Sequence, residues 1–238
     1  AGYTDLGAFY YRQKRYEEAL SQWKHWSELT PDNGRAYSSL GAVYSALGRN
    51  VEALEILERS VAVEPSYPGY NNLAVLYFRD KRYSELASVF EKALALNDKD
   101  YKVWGNLASA YYWSGQKEKA TEKFHRAVQM AEEQLKINPR DATVLSQLAD
   151  YHSMLGNKKQ ALEYLNQSLK IAPDVIDVIR RSADVYEQLG QRERALRQIE
   201  LALEKGTSVQ ELERAPSLKD LRTDPRYQSL LQKLGKKP

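Results

Sequence analysis

Three histidines, His25, His125 and His152, are the first place to look for chemistry. A helical metal site needs two imidazoles four residues apart on one face, and no pair here has that spacing. Asp150 lies two residues before His152, which on a helix aims it away from the ring. The carboxylate pairs Glu17 with Glu18 and Glu132 with Glu133 fall on outward-facing helical positions and read as solvated surface. There is no cysteine, so thiolate catalysis, Cys-ligated zinc and a disulfide framework are excluded, while the redox compartment stays open. No glycine-rich phosphate loop follows a strand, and no serine sits in a nucleophile elbow. The expectation is a protein without a catalytic centre, metal or cofactor.

Rings and cations occur together in "YYRQKRY" and "YFRDKRY", and such mixtures can stack bases and meet phosphates. Against this, the tyrosines recur at packing positions, and Lys+Arg (35) nearly balance Asp+Glu (32) for a net charge of +3. The field is too weak to gather a polyanion, so no nucleic-acid partner is expected. No apolar run approaches the roughly 18 residues of a membrane span, and "AGYTDLGAFYY" lacks a signal-peptide layout. No membrane span and a cytoplasmic location are expected. The chain opens almost inside a helix pattern without a Met, which reads as a piece of a longer protein; processing or trimming gives the same start.

The elements that position these residues come from an internal repeat. Small residues at Gly7, Gly41, Ala74, Ala108, Ala149 and Ala183 are spaced 34, 33, 34, 41 and 34 residues apart. Three residues after each stands Tyr10, Tyr44, Tyr77, Tyr111, His152 and Tyr186, so His152 takes a tyrosine's packing place. Sixteen after come Trp23, Leu57, Phe90, Phe124, Leu165 and Ile199. Apolar residues recur at three- and four-residue steps on either side of a turn, marked in most units by a helix-ending glycine such as Gly48 or Gly115. Each unit therefore predicts two helices, the second stopping before Pro31, Pro65, Pro139 or Pro173. A lone hairpin cannot bury its apolar face, so the units must stack.

The stretch "RAYSSLGAVYSALGRNVEALEILERSVAVEP" carries the aromatic, Leu-Gly, Tyr, Ala and Pro pattern of the tetratricopeptide repeat family, and residues 1–207 resemble that family throughout. The resemblance implies an all-α, right-handed superhelical solenoid of about six hairpins whose first helices line a concave groove that binds protein or peptide. It divides the chain into 1–140 for units one to four, 141–207 for units five and six, and 208–238 for capping helices and a basic tail. "LKDLRTDPRYQSLLQKL" resembles the closing motif of such arrays in bacterial multidomain regulators, with Leu218, Leu221, Tyr227, Leu230 and Leu231 as the apolar face of a cap.

In the family, residues two before the small residue, and one and four after it, face the groove. Here the first set includes Asn72, Asn106, Gln147 and Arg181, amides and a cation able to pair with an extended peptide's backbone. The alternative is that polar residues simply face solvent. Phe78, Tyr112 and neighbouring Trp113 either anchor an apolar side chain or pack on adjacent repeats. Lys102 adds a cation, and Asp150, Asp184 and Glu187 beside Arg180 and Arg181 suit a charged segment. A subset of the family clamps the terminal carboxylate of chaperone tails; Ser38, Ala42, Asn72, Lys102 and Asn106 stand at its positions and lack the required set, so no such clamp is expected. The second reading is a structural or self-associating element, for which Tyr3, Trp23 and Trp26 are expected as exposed aromatics of unit one.

Unit four is seven residues longer than the rest. Seven residues add nearly two helical turns and return the apolar stripe of Phe124, Ala127, Val128, Ala131 and Leu135 to almost the same bearing. An extended second helix is expected, with a step in the groove between Asn106 and Gln147.

Overall fold

The computed structural model describes residues 2–234; the basic tail expected at the end of 208–238 falls on residues 235–238, outside them. The described residues form fourteen α-helices and no strand. In chain order they are α1 (Gly2–Arg12), α2 (Tyr16–Leu29), α3 (Gly34–Ala46), α4 (Asn50–Val63), α5 (Tyr67–Arg79), α6 (Tyr83–Leu96), α7 (Tyr101–Trp113), α8 (Lys117–Ile137), α9 (Ala142–Met154), α10 (Lys158–Ile171), α11 (Ile176–Gln188), α12 (Arg192–Glu204), α13 (Val209–Arg214) and α14 (Pro225–Leu234). The chain forms two compact units, residues 1–117 and 118–238.

In the first unit α1 pairs with α2, α3 with α4 and α5 with α6, and each second helix also packs on the next first helix. The repeat's small residue makes this pairing possible. A Cβ on Gly7 would stand 2.3 Å from Trp23 Nε1, and one on Gly41 2.4 Å from Leu57 Cγ. The two residues sixteen apart are thus in direct contact across the hairpin, and only a bare backbone admits the larger one. Trp23 is consequently 6 % exposed and lies in the first hairpin's core with Ala19, Leu20, Leu40 and Val43. This corrects the expectation that it is an exposed aromatic; Trp26 is partly buried, and Tyr3 alone of the three is exposed.

Helix starts follow a rule eight residues before each small residue. Asn33 accepts from the Arg35 and Ala36 amides, Ser66 from Gly69, Asp100 from Lys102, and Asp141 from Thr143 and Val144. Each meets amides that the first turn leaves without a partner. At the same place before α11 stands Val175, which offers no side-chain cap. Inside the hairpins, Gly48, Gly115, Gly156 and Gly190 hold positive φ, and Lys14 and Lys81 take that left-handed turn where two units have no glycine.

In the second unit α8 is 21 residues long, and Phe124, Ala127, Val128 and Ala131 form its buried face. α9 pairs with α10 and α11 with α12. The chain after Glu204 closes this stack: Leu212, Leu218, Leu221, Tyr227 and Leu234 are buried in one core with Ile199, Leu196 and Leu203. Tyr227 is fully buried, and its hydroxyl donates to Glu213 at 3.0 Å. Pro216 and Pro225 break the segment into short pieces that fold over the last hairpin, supplying the polar-backed cap that a stacked repeat requires.

Candidate peptide-binding faces

The first helices carry every groove residue named from sequence, and the structure treats them unequally. On α5, Asn72 is half-buried and its Nδ2 donates to Ser38 Oγ of α3 at 3.1 Å, an amide held in orientation by the preceding repeat. Beyond it on the same helix, Val75 is 60 % exposed and Phe78 38 %. On α7, Asn106 and Lys102 are exposed, the Lys102 ammonium lying 6.0 Å from the Tyr101 ring centre. Tyr112 and Trp113 are half-buried and meet edge to face at 5.0 Å, with the Lys117 ammonium 5.8 Å over Tyr112. The first unit therefore carries two amides, two open apolar side chains and a pair of rings on its first-helix positions.

In the second unit Gln147 is buried, unlike Asn106 at the same repeat position. Arg181 Nη1 donates to Ser146 Oγ at 2.8 Å, and Arg180 reaches Asp177 at 3.4 Å on its own helix. Glu187 is drawn off by a fork of hydrogen bonds from Arg192 at the start of α12. Asp150 and Asp184 hold the position one after the small residue on α9 and α11. Burial pushes the Asp150 carboxyl up to about 6, against the opposing pull of Arg181; the Asp184 charge adds to the rise and a hydrogen bond with Gln188 opposes it. Asp184 is raised for the same first reason, with the Ser217 hydroxyl of the cap bonded to it.

The remaining chemistry-bearing groups are engaged in packing. His152 is 7 % exposed, stacked at 5.5 Å on Tyr164, with Asn157 Nδ2 3.3 Å from its Nδ1 and its affinity for a proton lowered by burial. Glu132 accepts from the Tyr164 hydroxyl at 3.2 Å, Glu133 pairs with Lys136 at 2.6 Å, and Glu18 with Arg15 at 2.7 Å. The cations of "YYRQKRY" and "YFRDKRY" have a shared arrangement that sequence reasoning missed. Arg15 of the first and Arg82 of the second lie 4.6 and 4.7 Å over Tyr10 and Tyr77, and Arg49 of the unit between them lies 4.7 Å over Tyr44, each bridged to a glutamate three residues on. Among the described residues no group of three or more metal-ligating side chains could hold an ion, and no helix is long and apolar enough to cross a membrane.

Helical hairpins of about 34 residues, closed by a small residue against a large one and stacked through tyrosines, define a helical-repeat protein. The tetratricopeptide repeat family model matches residues 1–64 and 99–174, and a second model of the same repeat matches 67–100. The chain belongs to the tetratricopeptide repeat family. It is 28 % identical over 135 residues to the human protein O-mannosyl-transferase TMTC1, covering 53 % of this chain and 15 % of that protein. It is 29 % identical over 100 residues to Hsp70-Hsp90 organizing protein 3 of Arabidopsis thaliana, covering 40 % of this chain and 17 % of that protein. The chain thus spans about a sixth of the length of these relatives. A tetratricopeptide repeat protein from Parabacteroides merdae superposes with a TM-score of 0.65 at 18 % identity, over 97 % of this chain and 82 % of that one. That likeness shows the fold. Membership of this family makes the chain a protein-interaction scaffold.

Proposed function

We propose that the first-helix faces bind an extended segment of a protein partner, without catalysis, and that the face of α5 and α7 is the principal contact. The observation that carries this is the exposure of Val75 and Phe78 on the helix that bears Asn72, together with the exposure of Asn106 at the equivalent place on α7: large apolar groups left open on helices that carry amides able to pair with a peptide backbone. The helices are already rigid, so the ordering entropy falls on the partner. In the second unit Gln147 is buried and Glu187, Arg180 and Arg181 are each engaged within the chain, so the first unit offers the more open face. The test is capture of partners by the wild type and by the triple variant Asn72→Ala, Phe78→Ala, Asn106→Ala. Partners should be lost from the variant while its helical signal is unchanged; partners retained in full would sink the reading.

A second reading rests on α1. Leu6 is 40 % exposed whereas Leu40 and Leu73, its counterparts, are 3 % and 2 %, and Tyr3 and Phe9 flank it at 42 % and 47 %. An apolar face of this kind would serve self-association, or docking within a larger multidomain regulator. A dimer by light scattering that persists in the triple variant and dissociates in Leu6→Asp would favour it.

A further inference from the structure

Arg79, at the end of α5, is a cation whose surroundings leave two of its nitrogens without a hydrogen bond. Its side chain is 18 % exposed, and both Nε and Nη2 are shut from solvent with no hydrogen-bond partner. Its one ion pair is long: Asp80 Oδ1 lies 3.9 Å from Nε, beyond hydrogen-bond range, and the Asp80 side chain is itself 46 % exposed. Buried guanidinium groups are ordinarily paired, because the lost hydration must be replaced by hydrogen bonds. Nε and Nη2 form one edge of the guanidinium, and two parallel N–H groups on one edge match the two oxygens of a carboxylate.

The position of Arg79 joins it to the binding face. Val75, Phe78 and Arg79 are spaced three and four residues apart and share one side of α5. Arg79 stands fifth after the small residue, the place held by Trp113 in α7 and Gln188 in α11. There Gln188 meets Ser153, fourth after the small residue of α9, at 2.5 Å. The residue that corresponds to Ser153 on the helix preceding α5 is Ser45, which offers no carboxylate. The flexible stem lets the guanidinium swing from its resting position beside Asp80 to a ligand.

We propose that Arg79 is the acid-recognising anchor of the α5 face: it takes the side-chain carboxylate of an Asp or Glu in the bound segment, close in sequence to an apolar residue seated on Val75 and Phe78. This rests on the binding role proposed above for that face. The partner class is therefore an acidic-apolar peptide segment, recognised internally and not through its C-terminus.

The test is selection of short random displayed peptides on the full chain and on Arg79→Gln, followed by affinities of the selected sequences as end-blocked peptides. Wild type should enrich Asp or Glu beside a large apolar residue, and Arg79→Gln should keep the apolar residue and lose the acid. Affinity of the acidic peptides should fall at least about tenfold in Arg79→Gln and stay unchanged in Asp80→Asn. Thermal unfolding separates binding from structure, because loss of a largely enclosed cation held only by a long ion pair should leave the melting temperature equal or higher. A consensus without acid, the same acid in both selections, a need for a free C-terminal carboxylate, or a lowered melting temperature overturns the anchor. Failure to enrich any peptide on either protein overturns the binding face itself.

Discussion

Replacing Asp150 by Asn should stabilise the protein near neutral pH, and the size of the effect follows from where α9 places the carboxylate. Enclosure raises its proton affinity from the ordinary 3.8 to about 6. The folded state therefore binds more protons than the unfolded one between these values, and stability falls as pH rises through that window. Above it the cost is full: at about 1.4 kcal/mol per pH unit the gap corresponds to ~3 kcal/mol, and relaxation around a partly buried group reduces this to ~1–3 kcal/mol. Asn keeps the shape and a partner for Gln188 but carries no charge. Urea unfolding of both proteins at a series of pH values is the assay. The variant should be more stable by ~1–3 kcal/mol at pH 7.5, and the difference should shrink toward zero as pH falls below the ordinary carboxylate value. Taking the difference cancels the opposite contribution of His152, whose depressed affinity removes stability as pH falls below its ordinary value of 6.5. A difference that is constant with pH, or of opposite sign, would refute the reasoning.

Three other substitutions test the local rules of the fold by the same unfolding measurement. Val175→Asp supplies the missing cap of α11, where the other internal first helices have one, and should add ~1 kcal/mol. Lys81→Gly relieves a left-handed residue at φ 56 and, after the larger entropy of the unfolded chain, should still add ~0.5–1 kcal/mol. Gly41→Val drives a branched side chain into Leu57, whose Cγ would lie only 2.4 Å from the new Cβ, and should cost ~2–3 kcal/mol.

The architecture is legible in the sequence because each hairpin repeats the same packing problem. The interval from Gly7 to Trp23, or Gly41 to Leu57, is a contact in the first two hairpins and a spacing written into the chain six times, and the C-terminal leucines and Tyr227 show the last exposed face being covered. Even so, alignment on the apolar residues misses Asn33, Ser66, Asp100 and Asp141, whose regular spacing from the small residues marks each helix start. Trp23 reads as exposed until the gap at Gly7 is recognised as its seat. The site is less legible, since the state of a groove side chain depends on a neighbour some 34 residues away. Asn72 is oriented by Ser38, and Arg181 is engaged by Ser146, while Asn106 at the equivalent place is exposed. Arg79 stands in plain view in "YFRDKRY", but its unpaired edge becomes apparent only when the residues around it are known.

The central claim is that partners are held by first helices and not by second ones. It is tested most directly by the affinity of one captured partner segment for four single variants: Phe78→Ala and Asn106→Ala on α5 and α7, and Glu55→Ala and Lys92→Ala on α4 and α6. Binding at least about tenfold weaker in the first pair and unchanged in the second is the expected result. Unchanged binding in the first pair with loss in the second would contradict it.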